Sequence, residues 1–292
     1  MASDDQGCAI DRVANTVWKD CPIKRAVKAI IIIALTAATL GACHPGSVAL
    51  PPGQGAQADS PPEAKAYRAT PLLLQVAFEP AGRLRLTGLA AAGAKVRLAS
   101  PAGQPLYGLA DSQGRWRLEV SRPTEPRLFG LAMVDQGRVV QSEGYVLITP
   151  AGTAAQLRAG AGTLALGAHV VAPVIDAVDF DAKGGTVVSG RATPHAALDL
   201  FVDTVRQSRG HADGDGRFSL ALDEPQTFAV HVLEVVDGAR RAVVQPRLTV
   251  ASPLVGSPYR ATATSVGWRI DWITPGGGQQ TTLLMASREG AV

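Results

Sequence analysis

Few residues in this chain are of a type and spacing that could do chemistry. Asp213-Gly214-Asp215-Gly216 sets two carboxylates among glycines, the start of an oxygen cage for calcium. A complete calcium loop needs further spaced oxygen ligands and a closing Glu, and these are missing, so a tight turn is the stronger reading. The histidines beyond His44 are His169, His195, His211 and His231, and none shows HxxxH spacing. His195 with Asp199, or His211 with Asp213, makes at most a partial metal site. Cys8, Cys21 and Cys43 all lie in the first 43 residues, which excludes a disulfide framework or thiolate zinc site from the remainder. There is no G-x-S-x-G elbow and no Walker loop, and Gly160-Ala161-Gly162 lacks the third glycine of a dinucleotide fold. Carboxylate pairs of the glycosidase kind leave no mark in a sequence. The expectation is a protein with no catalytic residue, no metal and no cofactor. Trp268 and Trp272 remain, four positions apart and on one face of a strand. Two exposed indoles would stack on sugar rings; two buried ones would cover the end of a core, and burial is the stronger reading.

The elements that must carry these residues read as strands. Leu84 and Leu86 alternate with charges, as do Val96 and Leu98, then Trp116, Leu118 and Val120, then Phe129, Leu131 and Met133. Further on, Leu198, Leu200 and Val202 alternate, then Phe218, Leu220 and Leu222, then Phe228, Val230 and Val232. Period two means one buried face and one wet face. Asp, Gly and Pro recur about every ten residues as turn signals, as in Asp111-Ser112-Gln113-Gly114 and Asp237-Gly238. The 292 residues are 46% hydrophobic and 18% charged, enough for a packed core and too few charges for a disordered chain. A net charge of +3 argues against a nucleic-acid partner. Asn is absent after Asn15, so N-glycosylation is excluded beyond that point.

The chain also matches itself. Positions 71–135 align without a gap on 173–237, a shift of 102 residues, with 18 of 65 positions identical. A period near 100 fits a whole β-sandwich rather than a solenoid repeat of about 20–50 residues. The most informative segment is Gly108-x-Ala110-Asp111-x-x-Gly114-Arg115-Trp116, repeated as Gly210-x-Ala212-Asp213-x-x-Gly216-Arg217-Phe218. Asp bonds the amides of its own turn, Gly supplies positive φ, and the aromatic enters the core from the next strand, which we read as a repeated structural hairpin. Upstream, each copy carries [Thr/Ser]-Gly-x-Ala. Together these motifs resemble bacterial immunoglobulin-like domains and the related carboxypeptidase regulatory-like sandwich, over roughly residues 71–150 and 173–252. The resemblance implies fold. It leaves function open, because such sandwiches serve as spacers, adhesins and binding modules alike.

The N-terminus points to an address. Lys24, Arg25 and Lys28 precede an apolar run of about 14 residues, short of the roughly 20 that span a bilayer. Leu40-Gly41-Ala42-Cys43 closes the run. A basic region, an apolar region and small residues before a cut site read as a secretory signal. The four closing residues resemble the bacterial lipobox, which implies cleavage before Cys43, acylation of its thiol and amino group, and stable membrane anchoring. His44 follows where inner-membrane lipoproteins usually carry Asp, so the resemblance implies the outer membrane. The acidic stretch before Lys24 departs from the lipobox pattern, and we expect translation to begin at a valine such as Val13 or Val17.

These readings assemble into an all-β protein. Two tandem immunoglobulin-like β-sandwiches follow a signal helix and a flexible linker, with a small C-terminal β-hairpin. The expected segments are a signal peptide at 1–42 and a Pro/Gly-rich tether at 43–70. Sandwiches occupy 71–150 and 173–252, separated by a linker at 151–172. A hairpin segment at 253–292 completes the chain, and its Ile273-Thr274-Pro275-x-Gly277 echoes Ile148-Thr149-Pro150-x-Gly152. The expected function is a non-enzymatic outer-membrane lipoprotein serving as an envelope interaction, adhesion or scaffolding module. Its partners would be the membrane, through lipid on Cys43, and an envelope protein or glycan, with no nucleic acid. The alternatives are a carbohydrate- or peptidoglycan-binding protein using Trp268 and Trp272, or an accessory subunit of an envelope enzyme.

Overall fold

Alternating strands separated by Asp/Gly turns build two copies of one sandwich. The computed structural model describes residues 68–101, 103–166 and 173–286, all within the unit Glu63–Val292. The signal segment and Cys43 lie outside the described residues. The first copy comprises β1 (Leu72–Glu79), β2 (Arg83–Leu89), β3 (Lys95–Ala99), β4 (Leu106–Leu109), β5 (Arg115–Ser121), β6 (Arg127–Asp135) and β7 (Arg138–Gln141). Its sheets are β1-β2-β5 on one side and β4-β3-β6-β7 on the other. That three-against-four order is an immunoglobulin-like sandwich. Alternation carries through to burial: Trp116, Leu118 and Val120 of β5 are buried and the residues between them exposed.

The segment after β7 is not a linker. It forms β8 (Tyr145–Ile148), β9 (Ala154–Leu157) and β10 (Leu164–Leu166), which extend the second sheet to seven strands. β8 pairs with the first residues of β6, and β9 and β10 add outward in turn.

The second copy repeats the plan with β11 (Val174–Asp181), β12 (Thr186–Arg191), β13 (Ala197–Val202), β14 (Val205–His211), β15 (Arg217–Ala221), β16 (Leu233–Asp237) and β17 (Arg240–Val244). Its four-stranded sheet runs β14-β13-β16-β17. The expected strand through Phe228, Val230 and Val232 is not formed; β16 starts at Leu233, and only a single bridge, Val230 to Arg247, lies upstream. The His231 side chain turns instead to Asp203 at the β13–β14 turn. Beyond β17 the expected two-stranded hairpin is a three-stranded meander of β18 (Tyr259–Thr264), β19 (Gly267–Ile273) and β20 (Gln279–Met285). β20 bonds β11, giving a six-stranded sheet β15-β12-β11-β20-β19-β18.

The two Ile-Thr-Pro-x-Gly motifs close matching turns. Gly152 donates to Thr149 O and Gly277 to Thr274 O, both at 2.9 Å. The hairpins they close attach differently: β8 joins the four-stranded sheet of its sandwich, whereas β20 joins the three-stranded sheet of the other.

Three apolar cores result. One fills the first sandwich, around Leu84, Leu86, Leu98, Leu131 and Met133. One fills the second, around Val178, Val188, Leu200, Leu233 and Val235. The third joins the two, with Leu128, Leu147, Ala155 and Leu157 against Ala177, Ile270, Trp272 and Leu284. The β8–β9 hairpin is therefore buried on both faces: Val146, Ile148 and Ala154 enter the first core, Leu147, Ala155 and Leu157 the third.

Candidate interaction surface

Trp272 is not a ligand platform. It is fully buried in the third core, donates its indole N–H to Thr282 Oγ1 at 3.1 Å, and meets the Tyr145 ring edge-on at 5.7 Å. Trp268 is partly buried and packs against the same cluster. Strand alternation did set both indoles on one face, and that face is covered by the hairpin of the first sandwich. Sugar stacking on the pair is excluded, because a ring must reach the indole face to stack on it.

Asp111, Gly114 and Trp116 share one geometry with Asp213, Gly216 and Phe218. Asp111 Oδ1 accepts from the amides of Gln113 and Arg115 at 2.8 and 2.9 Å; Asp213 Oδ1 accepts from those of Asp215 and Arg217 at 2.9 and 2.8 Å. Gly114 and Gly216 take φ of +78° and +72°, which L side chains rarely adopt. Their carbonyls accept from Ala90 N and Ala192 N, so the Gly-x-Ala and Asp-x-x-Gly parts of the motif meet in space. A Cβ on Gly88 or Gly190 would collide with the Trp116 or Phe218 ring. The turn is not a hairpin, because β4 pairs with β3 while β5 pairs with β2. It is the corner where the chain crosses from one sheet to the other. The same geometry in both copies, one with Asp and one with Gln beside the glycine, needs no cation.

Two buried polar clusters hold the second copy. Asp179, fully buried, accepts from Thr163 N at 2.7 Å, Thr163 Oγ1 at 2.8 Å, Gln280 Nε2 at 3.3 Å and Thr282 Oγ1. Burial pushes its carboxyl up, partly offset by these donors. Asp179 stands where the first copy has Ala77, and it ties the segment before β10 to β11 and β20. Asp271, buried, accepts from Arg260 at 2.7 Å, Arg269 at 2.9 Å and Thr281 at 2.7 Å. Burial raises its carboxyl, and the two guanidiniums and the hydroxyl outweigh burial to leave it below the ordinary value. Among the described residues no three His, Cys, Asp or Glu side chains gather as a metal site, and no helix is long and apolar enough to cross a membrane.

One surface feature that sets the copies apart is β4. Leu106, Tyr107 and Leu109 are 36, 51 and 71% exposed. The equivalent positions on β14 are Ser208, Arg209 and His211. β4 is the edge of its sheet, and Lys95 Nζ lies 4.3 Å over the Tyr107 ring. Beside it opens a depression of about 420 Å³ lined by Arg83, Leu106, Tyr107, Arg117, Leu118 and Glu119. Glu119 bridges Arg83 and Arg117 at 3.0 Å each, so charged and apolar side chains line the depression together. Comparing the two copies position by position would have found this patch, because an apolar residue facing polar ones in its own repeat marks a surface under different demands.

The fold is that of an all-β protein of tandem immunoglobulin-like sandwiches. No protein-family model matches the chain, and no curated protein sequence does. Among solved structures it is similar to "Biofilm associated protein - BSP domain", at 13% identity and TM-score 0.23, covering 58% of this chain and 28% of that one. It is also similar to "Central Fibronectin-III array of RIM-binding protein", at 13% identity and TM-score 0.27, covering 76% of this chain and 87% of that one. The chain thus spans under a third of the length of the biofilm protein.

Proposed function

We propose that this chain is a non-enzymatic interaction or scaffolding module of a bacterial outer membrane, held there by lipid on Cys43. The carrying observation is the exposed apolar β4 edge with the depression beside it, where the equivalent positions of β14 are polar. Exposed apolar side chains bordered by charged ones have the composition of a protein–protein contact. The signal-like run and lipobox supply the address, and the third core supplies rigidity.

The test has two arms. Intact-mass measurement of membrane-extracted protein should find a chain beginning at acylated Cys43, and Cys43→Ser should abolish the modification. A photo-crosslinking side chain at position 109 should then trap one defined envelope protein in cells, while the same group at position 211 traps none. Equal trapping at both positions would defeat the assignment of β4. An unmodified chain retaining residues 1–42 would defeat the anchor.

A further inference from the structure

β1 and β11 are the same strand of the repeat with different neighbours. Each pairs with the next strand of its sandwich, and each bulges at the same place, between Leu73 and Gln75 and between Ile175 and Ala177. On its other side β11 bonds β20, with Val178 opposite Leu283 and Phe180 opposite Thr281. β1 pairs only with β2 among the described residues and is the edge of its sheet. β10 passes near β1 without joining its ladder.

Burial follows this difference. Phe78 sits opposite the buried Leu84, in the register that faces the core, yet it is 57% exposed; Phe180, its counterpart, is 3% exposed. Phe180 is covered by Phe228 and by the Arg269 guanidinium of β19. Phe78 has Arg122 5.2 Å from its ring and Gly152 beside it, and still stays more than half exposed. Leu74 is 51% exposed, where the second copy has Asp176 bonded to Arg191 at 2.7 Å. Leu72 lies opposite Leu89, and both are exposed. The one charge on β1 is Glu79 at its end, and Pro71 and Pro80 flank it, so residues 72–78 lack the devices that normally guard an open edge. An unguarded edge is a template for strand addition.

The second copy displays the occupant of the equivalent edge, joined to it by the backbone ladder and by Gln280 and Thr282 on Asp179, the last of which β1 replaces with Ala77. β20 is antiparallel and uncharged, and it runs Gln-Gln-Thr-Thr-Leu-Leu-Met. The chain's own tether is a poor candidate, since it is rich in proline and its last part is held away, with Arg68 paired to Asp135 of β6. We propose that β1 is a docking edge that accepts an extended, uncharged Thr/Leu strand of a partner protein, added antiparallel as β20 is added to β11. The proposal rests on the interaction-module reading for the existence of a partner, but it uses a different edge from β4.

A fluorescein-labelled peptide with the sequence of residues 277–286, titrated into the full chain, tests it by anisotropy. The expected result is saturable binding that Phe78→Lys and Leu74→Lys each weaken about tenfold or more. Tyr107→Ser with Leu109→Ser should leave it within about twofold. Thermal melts of Leu74→Lys should match the wild type, since that side chain is exposed. Phe78→Lys also loses the ring's contacts with Arg122 and Gly152, so its binding is read at a temperature where its melt shows it folded. Absence of saturable binding, or binding that both lysine variants leave intact, overturns the proposal. So does a dimer by light scattering that Phe78→Lys dissociates, which would give the edge to a second copy of this chain. The readout involves no membrane and no cellular partner, so its failure leaves the β4 reading standing, and failure of the crosslinking leaves this one standing.

Discussion

His231 shows how one side chain couples the β13–β14 turn to the segment that leads into β16. Its ring nitrogens lie 2.7 Å from Asp203 Oδ2 and 2.9 Å from the Thr227 carbonyl. Both neighbours are acceptors, so only the imidazolium, with two N–H donors, satisfies them together. Burial lowers the imidazole, and the carboxylate and carbonyl outweigh it to raise the group above its ordinary value of 6.5. A raised folded value means full stabilisation below that pH and loss as pH rises through the folded value. Asp203 moves the opposite way, lowered first by the Val232 amide and then by His231. The first copy has Phe129 at this place. The thermal midpoint of the wild type should therefore fall from about pH 6 to about pH 9, and His231→Phe should flatten the profile. A wild-type profile already flat over that range would rule out the imidazolium.

At the scale of the element, the corner turn carries the repeat. Each corner Asp satisfies two amides, and each corner Gly has a φ that a side chain would strain. Asp111→Ala and Asp213→Ala should each cost about 1–2 kcal/mol, from two lost bonds near the surface. The two costs should agree closely, because the geometry is the same. Urea denaturation of the two variants checks this; a cost confined to Asp213 would point to a role for Asp215 that the first copy lacks. The β8–β9 hairpin makes a second point. Val146, Leu147 and Ile148 are all buried although they alternate in direction, because the hairpin lies between two cores. A strand buried on both faces loses the alternating pattern by which a strand is recognised.

For the whole molecule, the third core decides whether the sandwiches behave as beads or as one body. Trp272 is its largest fully buried side chain, with Tyr145 from the first sandwich packed on its ring. Trp272→Ala should cost about 3–5 kcal/mol, and differential scanning calorimetry should show one cooperative transition in the wild type splitting into two. A single transition retained at lower temperature would mean that contacts beyond the indole hold the halves together. A rigid pair fits a scaffold better than a flexible string would, because it fixes the spacing between the β1 and β4 edges and any surface on the second sandwich.

The repeat, the strand alternation and the Asp-Gly turns were legible in the residues, because each depends on neighbours a few positions away: side chains that alternate, a carboxylate within reach of its own turn amides, a glycine where φ is positive. That each turn is a corner between two sheets and not a hairpin was not legible, because strand pairing decides it. The proposed signal and lipid attachment at Cys43 are likewise read from local order along the chain, and lie outside the described residues. What only tertiary structure decided is which apolar faces end up covered. Trp272 and Phe78 both stand on strands with an apolar face, yet one is fully buried and the other more than half exposed. The placement of β20 between β11 and β19 likewise decided that β11 has two neighbours and β1 one. Burial is set by the element that arrives from elsewhere in the chain, at separations of about 100 residues, and no local pattern of residue types encodes that arrival.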